Sequence, residues 1–408
     1  MSIKTLSFGC RLNTLESEKI QNMLKTVIDT AIVVNTCAVT GEAERQSGQA
    51  VRRIARENPN VEIFVTGCAA TRNQELFCDI PNVLVIDNFQ KRNIDAYIDA
   101  LAKAPCHIQN PKIEKFKDSD EKLSKKFVQI QNGCNHDCTY CVTRLLRGRA
   151  VSFDYDEILA DVHAAVDTGF GEIVLTGVDI ASYARVYDGR PFLISDLCKK
   201  LLADVPGIRR LRLSSMDPAV PEVGKIIDLI KSDTRMMPHM HFSMQSGSDT
   251  ILKSMRRRHT ADIVRKWAQM AGDNITFSWD IICGFPGETE ELFNETLALV
   301  HELKPIKIHA FPYSPRPDTV AASMRNQINR AISKQRVKTI NDAANENRAK
   351  FMLSQLRQSV QVLVEENNIA RCPHDTSVKI DNTSIPSRTI CNVVLTDIVG
   401  DTFVGKIE

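Results

Sequence analysis

Short, unbroken apolar runs alternate with helical stretches through the first hundred residues, and that alternation leaves few folds open. Residues 5–8 read as a strand, followed by a helical pattern over 14–27. Residues 31–34 form a second apolar run, followed by a helix over Gly41–Glu57. Runs at 61–65 and 83–86 repeat the plan, the last with a helix reaching toward Leu101. Runs that are apolar on both faces need cover on both sides, and strands alternating with helices predict an α/β, parallel, doubly wound sheet over 1–104. In such sheets ligands bind beyond the carboxyl ends of the strands.

Cys10, Cys37 and Cys68 each follow the end of one of the first three strands by one or two residues, beside Gly9, Asn35-Thr36 and Gly67. Strand ends of a parallel sheet share one edge, so the three sulfurs can converge on one iron–sulfur site. The alternative is three buried structural cysteines. A second triplet, Cys134, Cys138 and Cys141, has the spacing Cys-x3-Cys-x2-Cys. A 4Fe–4S cube normally takes four thiolates. Three leave one iron open to an exogenous ligand, which is what reductive cleavage of S-adenosylmethionine requires. A zinc site that borrows His136 or a distant fourth ligand is the other reading, and a disulfide a third. Cys78, Cys106, Cys198, Cys283, Cys372 and Cys391 lack such partners and read as structural.

Residues 105–126 break the alternation: Pro105, Pro111 and a polar stretch with five lysines read as a solvated connector. Apolar strand runs resume at 127–130, Glu172–Thr176, 211–214, 240–244, 277–282 and 306–311, with helices between them such as 154–167 and Glu290–Leu303. Six β/α units are too few for a closed eight-unit barrel and predict an open, partial (β/α)6 barrel over 127–324. Its active site would lie at the carboxyl ends of the strands, where the Cys134 loop follows the first. Arg144, Arg147 and Arg149 follow that loop and could meet a phosphate or carboxylate. Segment 325–358 carries eight Lys or Arg against two acids in a helical pattern. It reads as a phosphate-facing helix or a solvated linker helix. Residues 359–408 show short β runs that predict a small RNA-binding barrel, although they hold four basic residues against seven acids.

The 408 residues have a net charge of only +2, so global charge says little about a nucleic-acid partner. There is no run of 18 apolar residues to span a membrane, and Met1-Ser2-Ile3-Lys4 leads into a strand with no export signal. Twelve cysteines without such a signal point to a reducing, cytoplasmic setting.

Several stretches are similar to one family. Ser7-Phe8-Gly9-Cys10-Arg11-Leu12-Asn13 and Asn35-Thr36-Cys37-Ala38-Val39-Thr40 resemble the amino-terminal signatures of the methylthiotransferases. Leu213-Ser214-Ser215, Gln245-Ser246-Gly247-Ser248, Gly284-Phe285-Pro286-Gly287-Glu288-Thr289 and Phe311-Pro312-Tyr313-Ser314-Pro315-Arg316-Pro317 resemble their radical S-adenosylmethionine core. The likeness runs end to end, with the carboxyl-terminal barrel matching the family's TRAM domain. Glu42-Ala43-Glu44-Arg45-Gln46 and Arg256-Arg257-Arg258-His259-Thr260 lean toward the branch that acts on threonylcarbamoyladenosine beside the tRNA anticodon.

The resemblance implies two 4Fe–4S clusters, one on each cysteine triad. It implies insertion of a methylthio group at carbon 2 of the adenosine, with two S-adenosylmethionine used per product. It further implies the anticodon stem-loop of tRNA as partner, an electron donor such as flavodoxin or ferredoxin, and no role for DNA or membrane. Other branches act on isopentenyl adenosine or on an aspartate of a small-subunit ribosomal protein. An RNA-binding protein with a merely structural cluster is the non-enzymatic alternative. Gly171 and Glu172 resemble the motif that receives the amino group of S-adenosylmethionine. Gln245, Ser246, Gly284, Pro286 and Gly287 are expected to line the same ligand. Arg144 is the candidate partner for the carboxylate of threonylcarbamoyladenosine, because arginine can meet a carboxylate with two parallel hydrogen bonds.

Overall fold

The computed structural model describes residues 2–104, 113, 123–381 and 384–408. Cys106 and most of the connector expected at 105–126 lie outside the described residues.

The first four strands, Ser2–Ser7, Thr30–Thr36, Ile63–Gly67 and Val83–Val85, form one parallel sheet in sequence order. Alternating side chains send Ile32, Val34, Ile63 and Val65 to one face and Ala31, Val33 and Phe64 to the other. The first face is covered by Val51, Ile54 and Ala55 of helix Gly41–Glu57 and by Phe77. The second is covered by Ile20 and Leu24 of helix Arg11–Leu24 and by Tyr97 of helix Ile94–Ala102. Helices therefore cover both faces, as the two-sided apolar runs require.

The core is a curved row of parallel strands. Lys125–Gln129 pairs with Glu172–Thr176, which pairs with Leu211–Leu213. After Ser214 the chain continues as Ser215–Met216 and pairs with His239–Gln245, followed by Thr276–Cys283 and Lys307–Pro312. All these pairings are parallel, and among the described residues the two edge strands do not pair with each other. The six-unit open barrel is as expected. Its outer face packs Phe242, Met244, Trp279 and Ile281 against the surrounding helices in a single large core.

Strands Ser359–Val364, Ile369–Arg371, Ser377–Ile380, Ile390–Val399 and Thr402–Ile407 close into a small barrel. Strand Ile369–Arg371 escapes the sequence reading, being too short to show an apolar period. This barrel docks beneath the amino ends of the core strands through buried charges. Glu172 meets Arg212 at 2.7 Å and Lys125 at 3.3 Å, and Lys125 reaches Asp375 of the barrel at 2.9 Å. Arg210 donates to Arg371 O and Gln361 O, and Arg212 to Pro373 O.

That joint corrects the expectation for Gly171 and Glu172. Glu172 opens its strand, so it lies at the end of the core opposite the Cys134 loop, fully buried among three cations. A side chain at Gly171 would overlap Leu363 of the docked barrel. Both residues join core to barrel and neither faces a ligand groove. Helix Arg330–Gln355 is likewise less free to meet phosphate than its composition suggests. Arg336 is buried on Glu288 at 2.7 Å, Arg348 pairs with Asp401 and Lys338 with Asp342.

Candidate active site

The amino-terminal triad is assembled by three strand-end turns that are tied together. Gly9 has φ +87°, and a Cβ there would sit 2.5 Å from Cys37 Sγ, so this loop closes only with glycine. Cys10 then caps helix Arg11–Leu24. Asn13 on that helix donates to Phe8 O at 2.8 Å and Thr36 O at 3.1 Å, binding the first turn to the second. Thr36 Oγ1 donates to Thr66 O and accepts from Ala70 N, binding the second turn to the third. Cys37 and Cys68 are buried and Cys10 is exposed. Burial pushes the Cys37 thiol up to about 11, and negative charge on Cys68 and Cys10 pushes the same way. The Asn13 and Thr36 bonds draw the three turns that carry Cys10, Cys37 and Cys68 together at the sheet's carboxyl edge.

The second triad lies on the loop after the first core strand. Cys134 N donates to Gly148 O, Thr139 N to Met255 O and Ala321 N to Thr139 O, so the loop is clamped from both sides. The His136 and Thr143 amides each lie 3.4 Å from a sulfur, Cys134 Sγ and Cys141 Sγ respectively, and Arg257 Nη1 lies 3.7 Å from Cys138 Sγ. Burial pushes the Cys134 thiol up to about 11. Gln131 Oε1 accepts from Val178 N and Asp179 N, which turns the end of strand Glu172–Thr176 toward this loop. Asp179 is thereby brought beside Cys134 and His136, with ligand atoms of all three within 4.8 Å. Its Oδ2 stands 2.8 Å from His136 Nε2 but without hydrogen-bond alignment, and stays unsatisfied though buried. Three soft thiols on one short loop, donors aimed at their sulfurs and a spare buried carboxylate oxygen fit an iron–sulfur cluster with a chelated amino ligand.

Asp179 escaped the sequence reading. The signal was there: it lies just past a strand end, as Cys10, Cys37 and Cys68 do. Asp217 was missed as well. It is buried between Arg257 at 3.3 Å and Arg258 at 3.2 Å, with His136 3.7 Å away. Burial would raise its carboxyl, but Arg257, the Ala219 amide, His259 and Arg258 hold it below the usual carboxylate range.

The remaining expected residues divide. Arg144 is exposed on the short helix Thr143–Arg147, 3.6 Å from Asp137, which also pairs with Arg256 at 2.6 Å. Arg149 is exposed too. Arg147 is not available to a phosphate: it is buried against Glu16 at 2.9 Å. Gln245 ends its strand half-buried on the carboxyl rim, whereas Ser246 is buried against Thr296. Gly284 N donates to Glu288 Oε2, and a side chain there would overlap Ser333 of the long helix. The close approach that this glycine permits is therefore to the chain itself. Pro286 is buried beside it, and Gly287 is half-buried with open space where a Cβ would point. Cys198, Cys283 and Cys372 are buried; Cys391 is half-buried and Cys78 exposed.

Residues 128–300 match the radical SAM superfamily, and residues 2–87 match Uncharacterized protein family UPF0004. The threonylcarbamoyladenosine tRNA methylthiotransferase MtaB of Rickettsia prowazekii (strain Madrid E) is 37% identical over 392 residues, covering 92% of this chain and 90% of that protein. The tRNA-2-methylthio-N(6)-dimethylallyladenosine synthase of Ehrlichia chaffeensis (strain ATCC CRL-10679 / Arkansas) is 32% identical over 383 residues, covering 88% and 86%. Among solved structures, the radical S-adenosylmethionine methyltransferase TsrM from Kitasatospora setae gives a TM-score of 0.55 at 12% identity, over 76% of this chain and 68% of that one. That last likeness is of fold alone. Sequence similarity of this depth along 92% of the chain makes the protein a member of the radical S-adenosylmethionine methylthiotransferase family, whose chemistry rests on S-adenosylmethionine and a 4Fe–4S cluster.

Proposed function

We propose that this chain inserts a methylthio group at carbon 2 of threonylcarbamoyladenosine beside the anticodon of tRNA, using two S-adenosylmethionine per product. The observation that carries the reading is the presence of two cysteine triads, each at the carboxyl edge of its own parallel sheet. Relatives named for that nucleoside, such as the 37% identical protein, supply the substrate class. Cys134, Cys138 and Cys141 would hold the cluster whose open iron takes S-adenosylmethionine, and Cys10, Cys37 and Cys68 a second cluster. Bound there, these groups supply the radical and sulfur chemistry that an aromatic carbon–hydrogen bond with no easily lost proton demands.

The chain's own residues bind and orient. Asp179 offers its unsatisfied oxygen to the ammonium of S-adenosylmethionine. Gln245 and Gly287 supply rim contacts, while Ser246, Gly284 and Pro286 shape the turns behind them. Arg144, exposed three residues past Cys141, receives the carboxylate of the threonylcarbamoyl group. A flavodoxin- or ferredoxin-type donor in the cytoplasm supplies electrons.

Mass spectrometry of tRNA nucleosides from a deletion strain tests the substrate. Loss of 2-methylthio-threonylcarbamoyladenosine, restored by this chain, is expected. Loss of the dimethylallyl product instead would move the substrate to the second reading, which the 32% identical relative favours. In anaerobic reconstitution the protein should hold about eight irons. Changing Cys134, Cys138 and Cys141 to alanine should halve the iron and abolish deoxyadenosine release. Changing Cys10, Cys37 and Cys68 should halve it while deoxyadenosine release persists and methylthiolation stops. Methylthiolated product from that second variant would make the amino-terminal triad structural.

A further inference from the structure

A buried charge network lies between the two triads. Arg147 sits on the helix that follows Cys141, yet reaches across the seam between the domains. Its guanidinium donates to Glu16 Oε1 at 2.9 Å, Glu16 Oε2 at 3.1 Å and Asn13 Oδ1 at 2.6 Å. From the other side Lys91 Nζ donates to Glu16 Oε2 at 2.6 Å and to Asn88 Oδ1 at 2.7 Å. Asn88 Nδ2 in turn donates to Leu146 O at 3.0 Å and reaches Cys68 Sγ at 3.5 Å. Glu16 and Lys91 are each 1% exposed, and Arg147 is 8% exposed.

Either cation alone would satisfy Glu16. A second buried cation adds desolvation cost with no carboxylate left to neutralise it. The neighbouring sulfurs are the groups placed to offset it. Two cations and one carboxylate leave one net positive charge beside Cys10, Cys37 and Cys68. Burial lowers the Lys91 ammonium to about 8, with Glu16 and charge on Cys68 opposing the fall; burial would lower Arg147 too, but Glu16 and charge on Cys68 and Cys10 more than offset it. A thiolate-ligated cluster is anionic and becomes more so on reduction, so a fixed buried cation favours the reduced form; net charge and hydrogen bonds to sulfur are levers on its potential.

We propose that Glu16, Lys91 and Arg147 are positioning residues that set the reduction potential of the cluster on Cys10, Cys37 and Cys68, with Asn88 carrying the contact to Cys68. The proposal rests on the reading that this triad holds an iron–sulfur cluster.

The test uses the full chain with Cys134, Cys138 and Cys141 changed to alanine, so that only the amino-terminal centre can load. Iron content is read first: no iron in this protein refutes the cluster reading itself. With iron bound, a redox titration followed by electron paramagnetic resonance reads the midpoint. Lys91→Met and Arg147→Met each remove a positive charge and should lower it. Glu16→Gln removes the negative charge and should raise it. Each shift should be about tenfold in the reduction equilibrium, ~59 mV for a one-electron couple. Asn88→Ala adds no charge, removes the contact to Cys68 Sγ and should also lower the midpoint, which covers the case in which a variant that alters a buried charge fails to fold. A merely structural role would cost iron or melting temperature without shifts of opposite sign. Midpoints that stay at the parent value in whichever of these variants loads iron overturn the proposal.

Discussion

Glu172→Gln separates the two roles open to that residue, and its cost can be worked from the joint it occupies. The carboxylate is fully buried, with Arg212 at 2.7 Å, Lys125 at 3.3 Å and Arg210 at 3.7 Å. Burial alone would raise its carboxyl, but Arg212, Lys125 and Arg210 more than offset this and hold it at about 2 against an ordinary 4.5. A depression of that size corresponds to about 3 kcal/mol at neutral pH. Removing one partner of a buried ion pair typically costs about 3–5 kcal/mol, so two routes agree.

At roughly 2–4 °C per kcal/mol for a domain of 150–250 residues, calorimetry at pH 7 should show melting about 6–20 °C lower in the variant. The folded value lies below the unfolded one, so the unfolded chain takes up a proton first as pH falls. The stabilisation is therefore fully present above about 4.5 and lost on the way down toward 2. The gap between parent and variant should be constant from pH 7 to about 5 and narrow below that. S-adenosylmethionine binding to the reconstituted variant should match the parent at temperatures where both are folded. Unchanged melting together with weakened S-adenosylmethionine binding would refute the reasoning and return Glu172 to the ligand site.

Asp179→Asn keeps the size of the side chain and the hydrogen bond that its backbone amide donates to Gln131 Oε1. It should retain full iron while S-adenosylmethionine affinity measured by calorimetry falls at least tenfold; parental affinity would remove Asp179 from the site. Gly284→Ala forces a residue with φ +77° to carry a Cβ against Ser333. It should cost about 1–3 kcal/mol in the urea midpoint, partly recovered by adding Ser333→Gly. Arg144→Ala is a surface change and should leave stability within about 0.5 kcal/mol. Its tRNA methylthiolation should nonetheless fall by about tenfold, equivalent to about 1.4 kcal/mol, while S-adenosylmethionine cleavage continues uncoupled, with Arg144→Lys a partial rescue.

The element pattern was largely legible because hydrophobic period reports local geometry. Helices Gly41–Glu57 and Glu290–Leu303 and strand Glu172–Thr176 occur at the bounds their patterns predict. Two candidate cysteine triads are also drawn from sequence, one from loop spacing and one from the rule that parallel strands end on a shared edge. Charge was not legible. Lys91, Arg147, Glu172 and Arg336 look in sequence like any solvated residues, and each is buried on a partner 40 to 131 residues away in the chain. Glu172 illustrates this: its number places it at a strand start, but its partners Lys125, Arg210 and Arg212 come from the neighbouring strands and themselves reach the docked barrel. Sequence alone thus determined most of the secondary structure, the parallel sheets and where the six candidate ligand cysteines fall along them, since all of these depend on near neighbours and on period. Tertiary structure decided which charges face solvent and which end of the core the barrel closes, because the energy of a buried ion depends on groups that only the fold brings within a few ångströms.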